Sequence, residues 1–383
     1  MIFRSFWMAG FECSCHRRGD GRRLDVIAAT GHDRFAAKDY ARARRLGMET
    51  VRDGARWHLI ERSPGRYDFS SLLPMVRAAR EAGVQVIWDL CHYGWPDDLD
   101  IFAPAFVDRF ARLARAFVQL LREETDEVPF LVPINEPSFL AWAGGDLGGI
   151  NPFAEGRGNE LKSQLIRATI AGIEAIRDIE PRARICQVDP VFHVVPRPDR
   201  TEDGPHVEAF RRAQYAGWDM LSGRLHPELG GRPEYLDIIG VNYYLYNQWV
   251  FESERAGGPT VRRGDPRYRP FREMLAEIAD RYGRPMFVAE TGTEAEARAD
   301  WLQYVADEAL AARGAGVPVH GLCWYPIVNF PGWDNDRHCL NGLWDYADDD
   351  GRRPLHEPLA HELRRQQARL ALDGGLRPSS IRD

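Results

Sequence analysis

The stretch REAGVQVIWDL, residues 80–90, decides the fold. A helix-period segment runs into Gly83, and an apolar strand begins at once. Glycine takes the left-handed conformation that ends a helix without steric cost. The strand is a continuous apolar run, the pattern of a strand covered on both faces in a parallel sheet. The same unit recurs as RRLGMETVRDGA (44–55), RYGRPMFVAE (281–290) and RGAGVPVHGLCW (313–324), with Gly47, Gly283 and Gly316 as the caps.

Extending the pattern gives eight strands: Phe6–Cys13, Thr50–Ala55, Val84–Leu90, Pro129–Asn135, Ala183–Asp189, Leu236–Asn242, Met286–Glu290 and Val317–Trp324. Helical stretches alternate with them at 34–46, 70–82, 104–124, 159–180, 206–221, 270–282 and 295–313, and a last one at 356–371 follows the final strand. Eight alternating units predict a single α/β domain, a (β/α)₈ TIM barrel over residues 1–372, with a frayed tail at 373–383. Helix-to-strand links are short. Strand-to-helix links such as 191–205, 243–269 and 325–355 are long and rich in Pro, Gly, Asp and Arg. In such barrels the site lies at the C-terminal ends of the strands, among these loops.

The 383 residues are 44% hydrophobic and 11% aromatic, enough for a large core. A net charge of -7, with a pI near 5.9, argues against a nucleic-acid partner. The opening MIFRSFWMAGFECSCHRR has neither a charged leader nor a long apolar core, and its apolar piece is too short to span a bilayer. It reads as the first strand of a cytoplasmic protein without a membrane partner. Cysteines 13, 15, 91, 186, 323 and 339 form no Cys-x-x-Cys pair, and no His-Glu-x-x-His occurs, so neither a disulfide framework nor a structural zinc site is expected.

The chemistry sits at the strand ends. The fourth strand closes as PINEPSF (133–139), where Pro137 has no N–H for a ladder and Glu136 stands at the edge beside Asn135. The seventh, PMFVAETG, ends in Glu290. A glutamate is ordinarily a surface or salt-bridged residue. Two at the ends of apolar strands, facing one barrel mouth, suit glycosidic bond cleavage: one protonates the leaving oxygen, the other attacks or activates water. Arg52, inside an apolar run, needs a charge partner, and Glu290 would serve. His92 follows the third strand, Asn242-Tyr243-Tyr244 ends the sixth and Trp324 ends the eighth. Tyr244 could donate to a carboxylate, and Trp324 could lie under a sugar ring, although either could equally be core filling.

In this order the motifs resemble clan A glycoside hydrolases, most closely family 1, the β-glucosidase and β-galactosidase group. The resemblance runs from FWMAGFE (6–12) to NGLWDY (341–346). PINEP implies Glu136 as acid/base with Asn135 as its sugar-binding neighbour, and FVAETG implies Glu290 as nucleophile. TVRDGARW with SPGRYDFSSL matches Arg52 and Trp57, DLCHYGWP matches His92, and DIIGVNYY matches Asn242 and Tyr244. The sugar-binding residues implied are Asn135, Arg52, His92, Asn242, Tyr244, Trp324 and Trp333, with Glu12 nearest to the position of the family's first-strand Gln. At the eighth strand the chain departs: in CWYPIVNFPGWDN, Pro331 takes the place of the Glu that follows Asn-Phe, and Gly332 shifts Trp333 by one.

The expected activity is thus a retaining β-glycosidase needing no metal or organic cofactor and acting on a carbohydrate or glycoside. Its two carboxyls should stand about 5–5.5 Å apart. The alternatives are a transglycosylase using the same intermediate and a non-catalytic carbohydrate-binding barrel. A metal-dependent barrel hydrolase would need paired histidines at strand ends, which are absent.

Overall fold

The computed structural model describes residues 1–254 and 257–373; of the expected tail, 374–383 lie outside the described residues. Eight parallel strands close into a barrel in chain order: β1 (Trp7–Gly10), β2 (Thr50–Gly54), β3 (Gln85–Cys91), β4 (Phe130–Ile134), β5 (Arg184–Pro190), β6 (Ile238–Asn242), β7 (Met286–Thr291) and β8 (Val319–Trp324). The seam is made by β1 and β8, with Trp7 opposite Leu322 and Ala9 opposite Trp324. Helices His32–Arg45, Leu73–Ala82, Pro104–Glu124, Gly158–Ile179, Phe271–Tyr282, Arg298–Gly314 and Glu357–Asp373 cover the outside. No helix among the described residues is long and apolar enough to cross a membrane.

Alternation along the strands sorts the core into two layers. Inside lie Met8, Ile87, Val132, Val188, Ile238, Phe287, Ala289 and Cys323, with Phe3 beneath them. The Phe3 ring meets Phe130 at 5.2 Å and Phe287 at 5.1 Å. The alternate residues pack under the helices. Gly83 and Gly283 end their helices at φ 66° and 60°, the conformation that needs no Cβ. All six cysteines are free and buried.

Some boundaries differ from the sequence reading. β1 ends at Gly10 rather than Cys13 because the chain peels off toward β3, where Cys15 N–H donates to the His92 carbonyl at 3.2 Å. The helix expected at 206–221 is broken into Gly204–Arg212, a 3₁₀ turn at Ala213–Tyr215, and Ala216–Leu221. The turn lets the buried Gln214 side chain reach back and accept from Phe192 N–H at 2.8 Å. Two small sheets were not anticipated. His193–Val195 and Gln248–Val250 pair in parallel and tie together the loops after β5 and β6. Phe330–Pro331 and His338–Cys339 form a hairpin in the loop after β8.

Candidate active site

Strand β2 points Arg52 into the barrel, fully buried. Each of its five N–H groups has an acceptor. Nε and Nη2 grip Asp89 of β3 at 3.0 and 2.6 Å. The second Nη2 proton goes to Asn135 Oδ1 at 2.7 Å. Nη1 reaches Glu290 Oε1 at 2.7 Å and the Ala289 carbonyl at 3.2 Å. A buried guanidinium is tolerated because its charge is balanced and every donor is used.

Glu290 reaches this mouth through a bulge. Val241 and Asn242 of β6 face Val288 and Glu290 of β7, so β7 carries one extra residue there. Strict alternation would send Glu290 outward with Val288. The bulge turns it inward, as bulges beside active sites do. Tyr244 O–H donates to its Oε2 at 2.8 Å.

Glu136 arrives by a different device. It follows β4 with φ 44°, in the left-handed region, and Pro137 starts a short helix immediately after it. The turn brings Asn135 and Glu136 to the same opening. Asn242 Nδ2 donates to Glu136 Oε1 at 2.7 Å, and Tyr93 O–H donates to Oε2. Burial, then the negative charge of Glu290, push the Glu136 carboxyl up to about 8 against these two donors. Asn242 Oδ1 is buried and has no protein partner among the described residues.

Asn135 joins the parts. With its oxygen turned to Arg52, its amide N–H groups reach His92 Nε2 at 3.0 Å and the Tyr93 oxygen at 3.1 Å. His92 Nδ1 lies 2.9 Å from Asp89. Neutral His92 thus donates from Nδ1 and accepts at Nε2. Glu12 lies 3.7 Å from His92 Nε2 and takes Ser14 N–H at 2.9 Å. Burial raises the Glu12 carboxyl above its ordinary range. Cys13, Asp89 and His92 bring potential metal donors within 4.8 Å of one another. Both Asp89 oxygens already accept from Arg52, so a cation there would have to share the carboxylate with a guanidinium.

Trp333, from the loop after β8, packs edge-on to Tyr93 at 5.4 Å and lies 6.2 Å from Phe139. Arg18 pins this loop, donating to the Gly332 carbonyl at 2.8 Å and to Asp336 at 2.7 Å. Trp324 lies elsewhere than expected. Cys323 and Tyr325 face inward, so alternation turns Trp324 outward. There it packs with Trp7, Leu302, Ile327 and Leu343, and its indole N–H donates to the Asn341 carbonyl at 3.0 Å. The ring facing the mouth is Tyr325, parallel to His92 at 6.0 Å and 5.2 Å from the Arg52 guanidinium carbon. Trp57 packs on Phe106 and Phe110 beneath a helix, away from the mouth. The sequence reading missed Tyr93, Asp89 and Tyr325. Asp89 was open to discovery, since an acid in an apolar strand beside Arg52 needs a partner.

No protein-family model matches the chain, and a search of curated proteins finds no significant match. Solved structures do match. A family 1 β-glucosidase from Thermotoga maritima superposes with a TM-score of 0.76 at 15% identity, over 98% of both chains. A β-glucosidase from the same organism in complex with deoxynojirimycin gives 0.75 at 15% identity, again over 98% of each chain. A hyperthermophilic β-glucosidase mutant gives 0.73 at 18% identity, over 94% of this chain and 98% of that one. At this level of identity the likeness establishes a shared fold: almost from end to end, the chain is built on the same closed (β/α)₈ barrel as these β-glucosidases.

Proposed function

We propose that the protein is a retaining β-glycosidase with Glu136 as acid/base and Glu290 as nucleophile. The supporting observation is that two carboxyls of one mouth are held in opposite ways. Glu290 is held by the Arg52 guanidinium at 2.7 Å and by Tyr244 O–H at 2.8 Å, fixed in place as an attacking carboxyl must be. Glu136 meets two neutral donors, Tyr93 and Asn242, and burial with the neighbouring negative charge lifts it to about 8, which suits a general acid near neutral pH.

In the first half, Glu290 attacks the anomeric carbon while Glu136 gives its proton to the departing glycosidic oxygen. In the second, Glu136 takes a proton from water as the water oxygen displaces Glu290. Arg52 and Tyr244 orient the nucleophile. Asn135, His92, Glu12 and Trp333 supply the groups that would hold the sugar, and Asn242 holds the acid/base. The matched β-glucosidases, one of them with deoxynojirimycin bound, favour a glycoside as substrate.

Glu290→Gly should abolish hydrolysis of aryl β-glycosides, lowering kcat by on the order of 10⁴-fold or more. Added azide or formate should restore part of the activity, and a 2-fluoro sugar should label Glu290 in the unaltered protein. Full activity in Glu290→Gly would end the assignment. Sugar binding with neither turnover nor labelling would identify a carbohydrate-binding barrel instead.

A further inference from the structure

Tyr93 touches the proposed acid/base, although no feature of the sequence singled it out. It follows β3 with φ 61°, in the left-handed region that a bulky residue seldom adopts. Its ring is buried against His92 at 4.7 Å, Trp333 at 5.4 Å and Phe139 at 5.7 Å. The next residue, Gly94, lies so close to Cys15 that a Cβ would come within 2.2 Å of its sulfur. The phenol is therefore held in place from several sides.

Hydrogen bookkeeping gives its hydroxyl a direction. Arg52 only donates, so the Asn135 oxygen faces it, and both Asn135 N–H groups are left for His92 and Tyr93. The Tyr93 oxygen accepts one of them and turns its own proton to Glu136 Oε2. Asn242 N–H holds the other oxygen at 2.7 Å. One chain of contacts, Glu290–Arg52–Asn135–Tyr93–Glu136, thus links the two carboxyls.

We propose that Tyr93 is a positioning residue that holds the Glu136 carboxyl in its plane and favours its ionised form, the one that activates water in the second half of the reaction. The proposal rests on the reading of Glu136 as acid/base. A hydrogen bond donated to a carboxylate favours the charged form. Burial and nearby acids hold the phenol well above its ordinary range, so it keeps the proton it donates to Glu136. Among the groups facing Glu136, the charges of Glu290 and Asp189 favour the neutral acid, while Tyr93 and Asn242 oppose them. Arg52 is committed to Asp89, Glu290 and Asn135, Tyr244 to Glu290, and His92 to Asp89 and Asn135, with Glu12 beyond it. When Glu290 bonds to the anomeric carbon its charge is consumed, but both donors remain. Glu136, having passed its proton to the leaving oxygen, is then held as the carboxylate that accepts a proton from water.

The test is the pH dependence of Tyr93→Phe on aryl β-glycosides. The basic limb of kcat/KM reports Glu136 in the free protein. The acidic limb of kcat for a dinitrophenyl glycoside, whose glycosyl–enzyme accumulates, reports it in the intermediate. Both limbs should move to higher pH, by about one unit. Placing 3-fluorotyrosine at position 93, a stronger donor of nearly the same size, should move both to lower pH, and it decides the matter alone if Tyr93→Phe does not fold. Azide, which needs no base, should raise kcat of Tyr93→Phe and yield the glycosyl azide. Limbs that stay in place, or that move the other way, overturn the proposal even if kcat falls. Absence of Glu290 labelling by a 2-fluoro sugar in the unaltered protein would instead overturn the acid/base reading beneath it.

Discussion

Arg52 and Asp53 are neighbours on β2, yet they anchor two different buried charge networks. Arg52 faces inward, and the groups it organises open onto the mouth: Glu136 keeps 8% exposure, Glu290 keeps 5%, and the Asn242 oxygen has no protein partner among the described residues. Asp53 faces outward, under the helix His32–Arg45. It takes His32 Nε2 at 2.8 Å and Tyr40 O–H at 2.6 Å. His32 Nδ1 meets Asp39 at 2.8 Å, and Arg353 meets Asp39 at 2.8 and 2.9 Å. Phe11 stacks on the His32 ring at 3.9 Å. The side chains of Asp53, His32, Asp39 and Arg353 are all buried, at 1% exposure or less. Charge density and burial alone therefore do not distinguish a reactive site from a clasp. An unspent acceptor at an opening, and an acid whose neutral form is favoured there, do.

Substitutions on each side can break this contrast. Arg52→Met should have the largest effect, because it leaves Asp89 and Glu290 buried without their cation. Stability should fall by about 3–5 kcal/mol in urea titrations, and hydrolysis should be lost with it. Retained turnover would place the nucleophile elsewhere. Asp39→Asn should cost about 3 kcal/mol by weakening its pairs with Arg353 and His32, with the pH profile of kcat/KM unmoved. A shifted profile would mean that the outer network communicates with the mouth.

The smallest effect is a pH trend in stability. Burial works against charge on His32, but Asp53 and Asp39 outweigh it and raise the ring from 6.5 to about 9. A folded value above the unfolded one stabilises fully below about pH 6.5, and that contribution fades as pH rises toward 9. The urea midpoint should drop over that window by the equivalent of no more than about 3 kcal/mol, and less in His32→Gln. A midpoint flat from pH 6 to pH 9.5 would count against an imidazolium held between two carboxylates.

The barrel was legible because its signal is repetitive. Glycine at a helix end followed by an apolar run marks four of the buried parallel strands, and eight alternating strand and helix units leave little choice of closure. The residues at the strand ends were legible as types and positions, but not in their direction. Period-two alternation predicts where a side chain points only while the strand stays regular. The extra residue in β7 turns Glu290 inward, and the left-handed turn at Glu136 lets two consecutive residues face one opening. Regular alternation, by contrast, puts Trp324 outside and Tyr325 inside. Tyr93 escaped notice because nothing local marks a phenol whose partner lies 43 residues further along the chain.

The span between Arg52 and Glu290 has a consequence for how the protein comes into being. The contact joins positions 238 apart, whereas Arg52 and Asp89 are separated by only 37. During synthesis, the early strands can pair that first anion with the guanidinium long before the second emerges from the ribosome. Contacts so distant in sequence form late, since the intervening polypeptide must be ordered first. Under the proposed roles, a nascent chain stopped before β7 would carry the acid without its attacking partner, and competence to cleave a glycoside would arrive only with the last quarter of translation.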